Sequence, residues 1–160
     1  MNIRKVLESG RVVRYHSTMI DKKQNNSEHS WEVGVILEHI YPESSKALLF
    51  YALTHDSGEV YTSDVAAPVK RDHPEIKKAL DKMEIEYCGL VLKLRHPKFT
   101  KEELLAVKYA DILSGIYFTT IRANAGDREA IPVRDKWLEY IGSLPYLNDK
   151  VVQTIEGLKS

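Results

Sequence analysis

The chain has 160 residues, 43% apolar and 29% charged, which suits one globular domain and excludes a disordered chain. Its 23 Lys and Arg are balanced by 23 Asp and Glu. Zero net charge argues against bulk electrostatic capture of duplex nucleic acid or an anionic membrane. A single cysteine, Cys88, excludes an internal disulfide, so a cytoplasmic setting is expected. Residues 1–10 carry Arg4, Lys5 and Glu8 with no apolar centre, unlike a secretory leader. The longest apolar run, Ala47 to Leu53, is too short to span a bilayer.

Glycine and proline are scarce, with 8 and 6 residues, which favours long elements, and the apolar periodicity is helical nearly throughout. A helix is predicted over Ser27 to Tyr41, capped by Ser27, with Val33, Ile36, Leu37 and Ile40 as its stripe and Pro42 after it. Ser44 or Ser45 caps a second helix through Ala47, Leu48, Tyr51, Ala52 and His55. A short helix follows Asp64 and stops near Lys70. Pro74 opens a long helix to about Arg95, with Ile76, Leu80, Met83, Tyr87, Leu90 and Leu94 facing inward. Thr100 and Glu103 make a capping-box pattern for another long helix to about Asn124. Two shorter helices fit Val133 to Ile141 and Asp149 to Leu158. The polar stretch from Ser17 to Asn26 reads as a mobile loop, Cys88 as a packing residue, and Trp31 as a first-turn core residue in preference to one bordering a binding pocket. With no strand pattern, repeat or composition shift, the expectation is a single all-α domain over residues 1–160.

Four ionisable residues occupy positions where the helical pattern calls for apolar ones. His29 precedes Val33 and Ile36 on one stripe, and His55 extends the Leu48–Tyr51–Ala52 face with Asp56 beside it. Asp111 follows Val107 and precedes Phe118 in the middle of a helix. Burying an unpaired charge costs several kcal/mol, so each needs compensation. Singly, each has an ordinary account: a hydrogen-bonded core histidine, a helix-end cap at Asp56, an Asp111 paired with an arginine such as Arg14. Together, one divalent cation satisfies all four, and imidazole with carboxylate suits Zn, Co, Mn, Fe or Ni.

The series Ser27-Glu28-His29-Ser30, His55-Asp56-Ser57-Gly58-Glu59-Val60, Asp64 and Ala110-Asp111 resembles the HD-domain phosphohydrolase superfamily. Residues 55–70, HDSGEVYTSDVAAPVK, are similar to the 5′-deoxynucleotidase branch, which carries HD-x-x-E-x-x-x-x-D-x-x-x-P-x-K. Arg14 followed by aromatic Tyr15 resembles the Arg–aromatic pair of that branch. The Arg14-Tyr15-His16 run and the short chain look more like the phage HD-domain triphosphohydrolases that remove dATP.

The resemblance implies a compact HD-domain helical bundle and a metal-dependent phosphohydrolase of 2′-deoxynucleotides. The favoured substrate reading is dATP, cleaved to deoxyadenosine and triphosphate. The alternatives are a 5′-deoxynucleotidase acting on deoxynucleoside monophosphates and a non-catalytic nucleotide sensor. His29, His55, Asp56 and Asp111 would hold one Zn, Co or Mn ion, with additional Mg accompanying a triphosphate. Glu59 would be the general acid/base, and Asp64 would lie by the substrate or else cap the next helix. Arg14 offers a fork and Lys70 a point charge for phosphate oxygens. Tyr15 would sit against the sugar and block a 2′-hydroxyl, and His16 would reach the phosphates or base. Arg71, Lys77 and Lys78 either extend a basic rim that suits a triphosphate or form a solvated face. The implied partner is a small-molecule deoxynucleotide, in a host cytoplasm if the gene is phage-borne. A homo-oligomer is expected, with Trp137, Tyr140, Ile141, Val151, Val152 and Ile155 as its interface.

Overall fold

The computed structural model describes residues 1–159. Among these, α1 (Ile3–Ser9) leads into a short antiparallel pair, β1 (Val13–Arg14) with β2 (Gln24–Asn25), in which Arg14 faces Gln24. The remaining elements are α2 (Asn26–Ile40), α3 (Lys46–Ala52), α4 (Glu59–Thr62), α5 (Ala67–Asp72), α6 (Pro74–Tyr87), α7 (Lys101–Asn124), α8 (Ala130–Gly142) and α9 (Asp149–Lys159). The all-α expectation holds, with one two-residue strand pair added.

The fold is built around α7. Thr100 accepts from the Glu103 amide while Glu103 accepts from the Thr100 amide, so the expected capping box forms. Acidic Glu102 and Glu103 at its start and Arg122 at its end complement the helix dipole. Its residues Ala106, Val107, Ala110, Ile112, Leu113 and Ile116 are buried against α2, α8 and α9. Val33, Leu37 and Ile40 on α2 and Leu48 and Ala52 on α3 complete that core. Each fully buried Leu or Ile there contributes roughly 1.5–3 kcal/mol. By length and composition α7 could cross a membrane, yet 67% of its apolar window is buried inside the fold, as in a core helix. Gly115 lets the Trp137 indole of α8 lie on α7, since a Cβ there would sit 3.0 Å from the ring.

Several expectations need correction. Asn25, not Ser27, caps α2, because its side chain and that of Glu28 exchange a reciprocal capping box two residues earlier. The second helix is capped by Ser45 and ends at Ala52, so His55 lies in the tight turns beyond it. The Ser17–Asn26 loop is pinned rather than free. Ile20 is buried with Phe118 and Ala130, and Lys23 Nζ donates to the Thr18 and Ile20 carbonyls. The helix from Pro74 gives way at Cys88 to a π-helical turn (Cys88–Leu92) closed by left-handed Lys93. That extra residue per turn rotates Leu90 outward (78% exposed) and Leu92 inward. Ile76 and Met83 are also exposed, leaving Leu80 as the buried residue of α6. Trp31 is not a core residue but is 65% exposed at the edge of a cavity of about 500 Å³. Of the residues expected at an oligomer interface, Ile141 and Val151 are buried in the chain's own core and Trp137 and Ile155 pack against it. Tyr140 and Val152 remain exposed.

Candidate functional site

The site forms where β1, the start of α2, the turns after α3, and the middle of α7 meet. His29 sits on the buried face of α2 with no exposed surface. Its Nδ1 lies 2.9 Å from Ser114 Oγ, and Ser114 in turn donates to Glu32 Oε2 at 2.6 Å. The carboxylate takes the hydroxyl proton, so Ser114 must accept from His29 Nδ1–H. His55 Nδ1 is 2.8 Å from the Ala52 carbonyl, which can only accept. Both imidazoles therefore carry their neutral-form proton on Nδ1 and present a lone pair on Nε2.

Those two Nε2 atoms converge on carboxylates. His29 Nε2 is 3.3 Å from Asp111 Oδ1 and 3.5 Å from Asp56 Oδ2, and His55 Nε2 is 3.2 Å from Asp56 Oδ1. Both are buried and lack a hydrogen-bond partner among the described residues. A lone pair facing a carboxylate oxygen at that distance is repulsive unless positive charge lies between. A ligand atom from each of His29, His55 and Asp111 falls within 4.8 Å of the others. Two imidazoles and a carboxylate fit a divalent transition metal. Asp56 borders this cluster through both imidazoles, while its Oδ2 accepts from Arg14.

Arg14 spans both carboxylates, with Nη1 2.7 Å from Asp56 and Nη2 3.9 Å from Asp111. Burial would lower its pKa, but the two carboxylates outweigh burial and raise it. Burial pushes Asp56 up, yet His55, His29 and Arg14 hold it well below the usual carboxylate range. Asp111 is likewise depressed against its burial, chiefly by Lys108, whose Nζ donates to Oδ2 at 3.0 Å, and then by His29 and His55. Burial and Arg14 act to lower His29, and Asp111 and Asp56 reverse the balance and raise it.

Glu59 opens α4 and is buried. Its Oε2 accepts from Asn26 Nδ2 at 3.1 Å and its Oε1 from Lys70 Nζ at 3.4 Å. Burial and the Asp56 charge push it up to about 7, against the pull of Arg14 and Lys70. Gly58 makes this placement possible, because a Cβ there would lie 2.5 Å from Glu84 Cβ on α6. Asp64 does not cap α5, whose N-cap is Ala66, and its charge reaches Arg14, Tyr15 and Glu59. Tyr15 adopts left-handed backbone geometry (φ 59) and stacks on Phe118 at 5.0 Å. Burial pushes its hydroxyl up to about 12. His16 is exposed, with its ring 3.3 Å from the Val13 carbonyl. The downstream charges pair locally, Arg71 with Asp72 and Lys77 with Asp81.

Sequence reasoning missed Asn26, Gly58, Lys108, Ser114, Glu32 and Gln24. Lys108 and Ser114 lie three residues either side of Asp111, and Glu32 three after His29, so helical spacing could have found them. Asn26 and Gly58 carry no such signal.

A helical bundle that gathers two histidines and two aspartates from α2, the His55-Asp56 turn and α7 has the architecture of HD-domain proteins. The fold is shared over 99% of the chain with the HD phosphohydrolase (DatZ) of cyanophage S-2L, solved with dA and one catalytic Zn2+ ion, at TM-score 0.72 and 17% identity. The match covers 97% of that protein. It is shared equally with the PH0347 protein of Pyrococcus horikoshii OT3, at TM-score 0.72 and 17% identity, covering 99% of this chain and 96% of that one. A 5′-deoxynucleotidase of Vibrio vulnificus (strain YJ016) is 29% identical over 131 residues, 66% of each chain and so just under two thirds of that relative. The family profile described as 5′-deoxynucleotidase YfbR-like matches residues 6–97, more than half of the chain. The chain belongs to this YfbR-like 5′-deoxynucleotidase family. Asp111 lies beyond the matched residues and joins the site through the tertiary structure.

Proposed function

We propose that this chain hydrolyses 2′-deoxynucleoside 5′-monophosphates with a divalent cation held by His29, His55, Asp56 and Asp111. The observation that carries this reading is the pair of buried Nε2 atoms, without hydrogen-bond partners among the described residues, aimed at the Asp56 and Asp111 carboxylates. A bound cation supplies Lewis-acid activation of water and neutralises phosphate charge.

The chain's own groups do the rest. Arg14 and Lys70, with Lys108 paired to Asp111 beside them, are cations at the site, and the first two could hold one phosphate by a fork and a point charge. Glu59, with its pKa near 7, takes a proton from the attacking water as the new P–O bond forms. The P–O5′ bond breaks, and the proton passes to the departing 5′-oxygen. Asn26 and Lys70 hold the Glu59 carboxylate in place. Asp64 adds negative charge beside Glu59 and so keeps its proton affinity high. Tyr15, fixed by its stack on Phe118, would close the space of a 2′-hydroxyl.

The monophosphate is preferred over dATP because Arg71 and Lys77 form exposed pairs with Asp72 and Asp81 rather than contacts with the site carboxylates. Family membership supports the same choice. Release of intact triphosphate is the second reading, favoured by the Arg14-Tyr15-His16 run. A product-resolved screen of deoxy- and ribonucleotides, mono- to triphosphate, with Zn2+, Co2+ and Mn2+ tests both. Inorganic phosphate from monophosphates supports the first, and intact triphosphate supports the second. No cleavage of any deoxynucleotide refutes both.

A further inference from the structure

The buried polar chain behind His29 has no role in the scheme above. It runs from His29 Nδ1 to Ser114 Oγ at 2.9 Å, then to Glu32 Oε2 at 2.6 Å, where Gln24 Nε2 also donates at 2.8 Å. Gln24 and Ser114 are fully buried, so water cannot substitute for these contacts, and Glu32 lines the outer cavity. We propose that Glu32 and Ser114 are positioning residues that hold His29 in its metal-competent tautomer, an inference resting on the metal-site reading above.

Only a donor on one side and an acceptor on the other satisfy Ser114. The Glu32 oxygen accepts two donors and has none to give, so it draws the Ser114 proton toward itself. Ser114 is then left as acceptor, and the His29 proton must reside on Nδ1. Nε2 keeps its lone pair toward Asp111, as a metal ligand requires. Partners of this kind fix both ring orientation and tautomer, and losing one weakens metal affinity about 10–100-fold. Without the Glu32 acceptor, the Ser114 hydroxyl is free to turn its proton toward Nδ1. That reversal places the imidazole proton on Nε2, where it must be expelled before metal can bind. Glu32 therefore acts through Ser114, not on the metal.

The test measures Zn2+ affinity by competition with a chromophoric chelator, and the Co2+ absorption spectrum, for wild type, Ser114→Ala, Glu32→Leu, Glu32→Gln and the Ser114→Ala/Glu32→Leu double variant. Circular dichroism and thermal melts establish that each is folded, and Glu32→Leu, at a partly exposed position, serves if Ser114→Ala fails to fold. Ser114→Ala and Glu32→Leu are each expected to weaken Zn2+ binding about 10–100-fold. Glu32→Gln keeps an oxygen acceptor and should stay within about threefold of wild type. The double variant should bind no more weakly than the weaker single variant, because the two residues form one path. Unchanged affinity in Ser114→Ala and Glu32→Leu, losses that multiply in the double variant, or Glu32→Gln falling as far as Glu32→Leu would each overturn the relay. A wild-type protein that takes up neither Zn2+ nor Co2+ refutes the metal site itself, and the relay with it.

Discussion

Replacing Glu59 by Gln removes a carboxylate whose side chain is only 4% exposed. Its pKa rises from an ordinary 4.5 to about 7 because burial and the Asp56 charge oppose ionisation more than Arg14 and Lys70 favour it. The folded state thus holds this proton more tightly than the unfolded chain does. The associated stabilisation is complete below about pH 4.5 and is lost as pH rises through about 7. At about 1.4 kcal/mol per pH unit, ionising Glu59 costs the metal-free fold roughly 3 kcal/mol at pH 8. Gln cannot ionise, and its carbonyl can still accept from Asn26 Nδ2. Lys70 loses a 3.4 Å partner but is exposed enough to be hydrated. Urea unfolding of metal-stripped wild type and Glu59→Gln should therefore give similar stabilities at pH 4.5 and a variant more stable by up to about 3 kcal/mol at pH 8. The same variant should retain stoichiometric metal while turnover falls about 10²–10⁴-fold. A variant no more stable than wild type at pH 8 refutes the electrostatic argument, and one with unchanged turnover refutes the role of Glu59 in proton transfer.

His55→Ala and Asp111→Asn should lose bound metal and hydrolysis together, read by elemental analysis beside product release, whereas a silent variant keeping its metal would remove that residue from the ligand set. Arg14→Ala leaves Asp56 and Asp111 without their shared guanidinium and should destabilise the metal-free protein by about 3 kcal/mol at pH 7, measured by urea unfolding. The depressed Asp56 and Asp111 contribute stability above their ordinary value of 3.8 that is lost as pH falls below it, and Arg14→Ala should flatten this acid loss. Gly58→Ala forces a Cβ to within 2.5 Å of Glu84 Cβ and 3.0 Å of its Cα, and should cost about 1–3 kcal/mol in a thermal melt while also lowering turnover by shifting Glu59. Tyr15→Ala should narrow the deoxy-to-ribonucleotide ratio of kcat/KM, and an unchanged ratio would place sugar discrimination elsewhere.

The gathering of His29, His55 and Asp111 was legible because charge on an apolar helical stripe is costly enough to demand a partner. The capping box of α7 was legible, and the second helix's cap was narrowed to Ser44 or Ser45, because both are local, decided within four residues. The π-helical turn was not, since the pattern over Leu90 and Leu94 reads as continuous α-helix until left-handed Lys93 closes the turn. The preferred core reading of Trp31 failed because its apolarity says nothing about which face of α2 the rest of the chain covers.

The sequence alone determined the helical class, the ionisable residues that gather at the candidate site and their family resemblance, because periodicity, capping and misplaced charge are properties of neighbouring residues. The tertiary structure decided which charges answer one another. Arg14 turned out to bridge Asp56 and Asp111, 42 and 97 positions away. The Glu59 proton affinity depends on burial and on Asp56, Arg14 and Lys70 together. The His29 tautomer depends on a serine and a glutamate on two different helices. Such interactions arise from distance and desolvation in three dimensions, and no spacing along the chain encodes them.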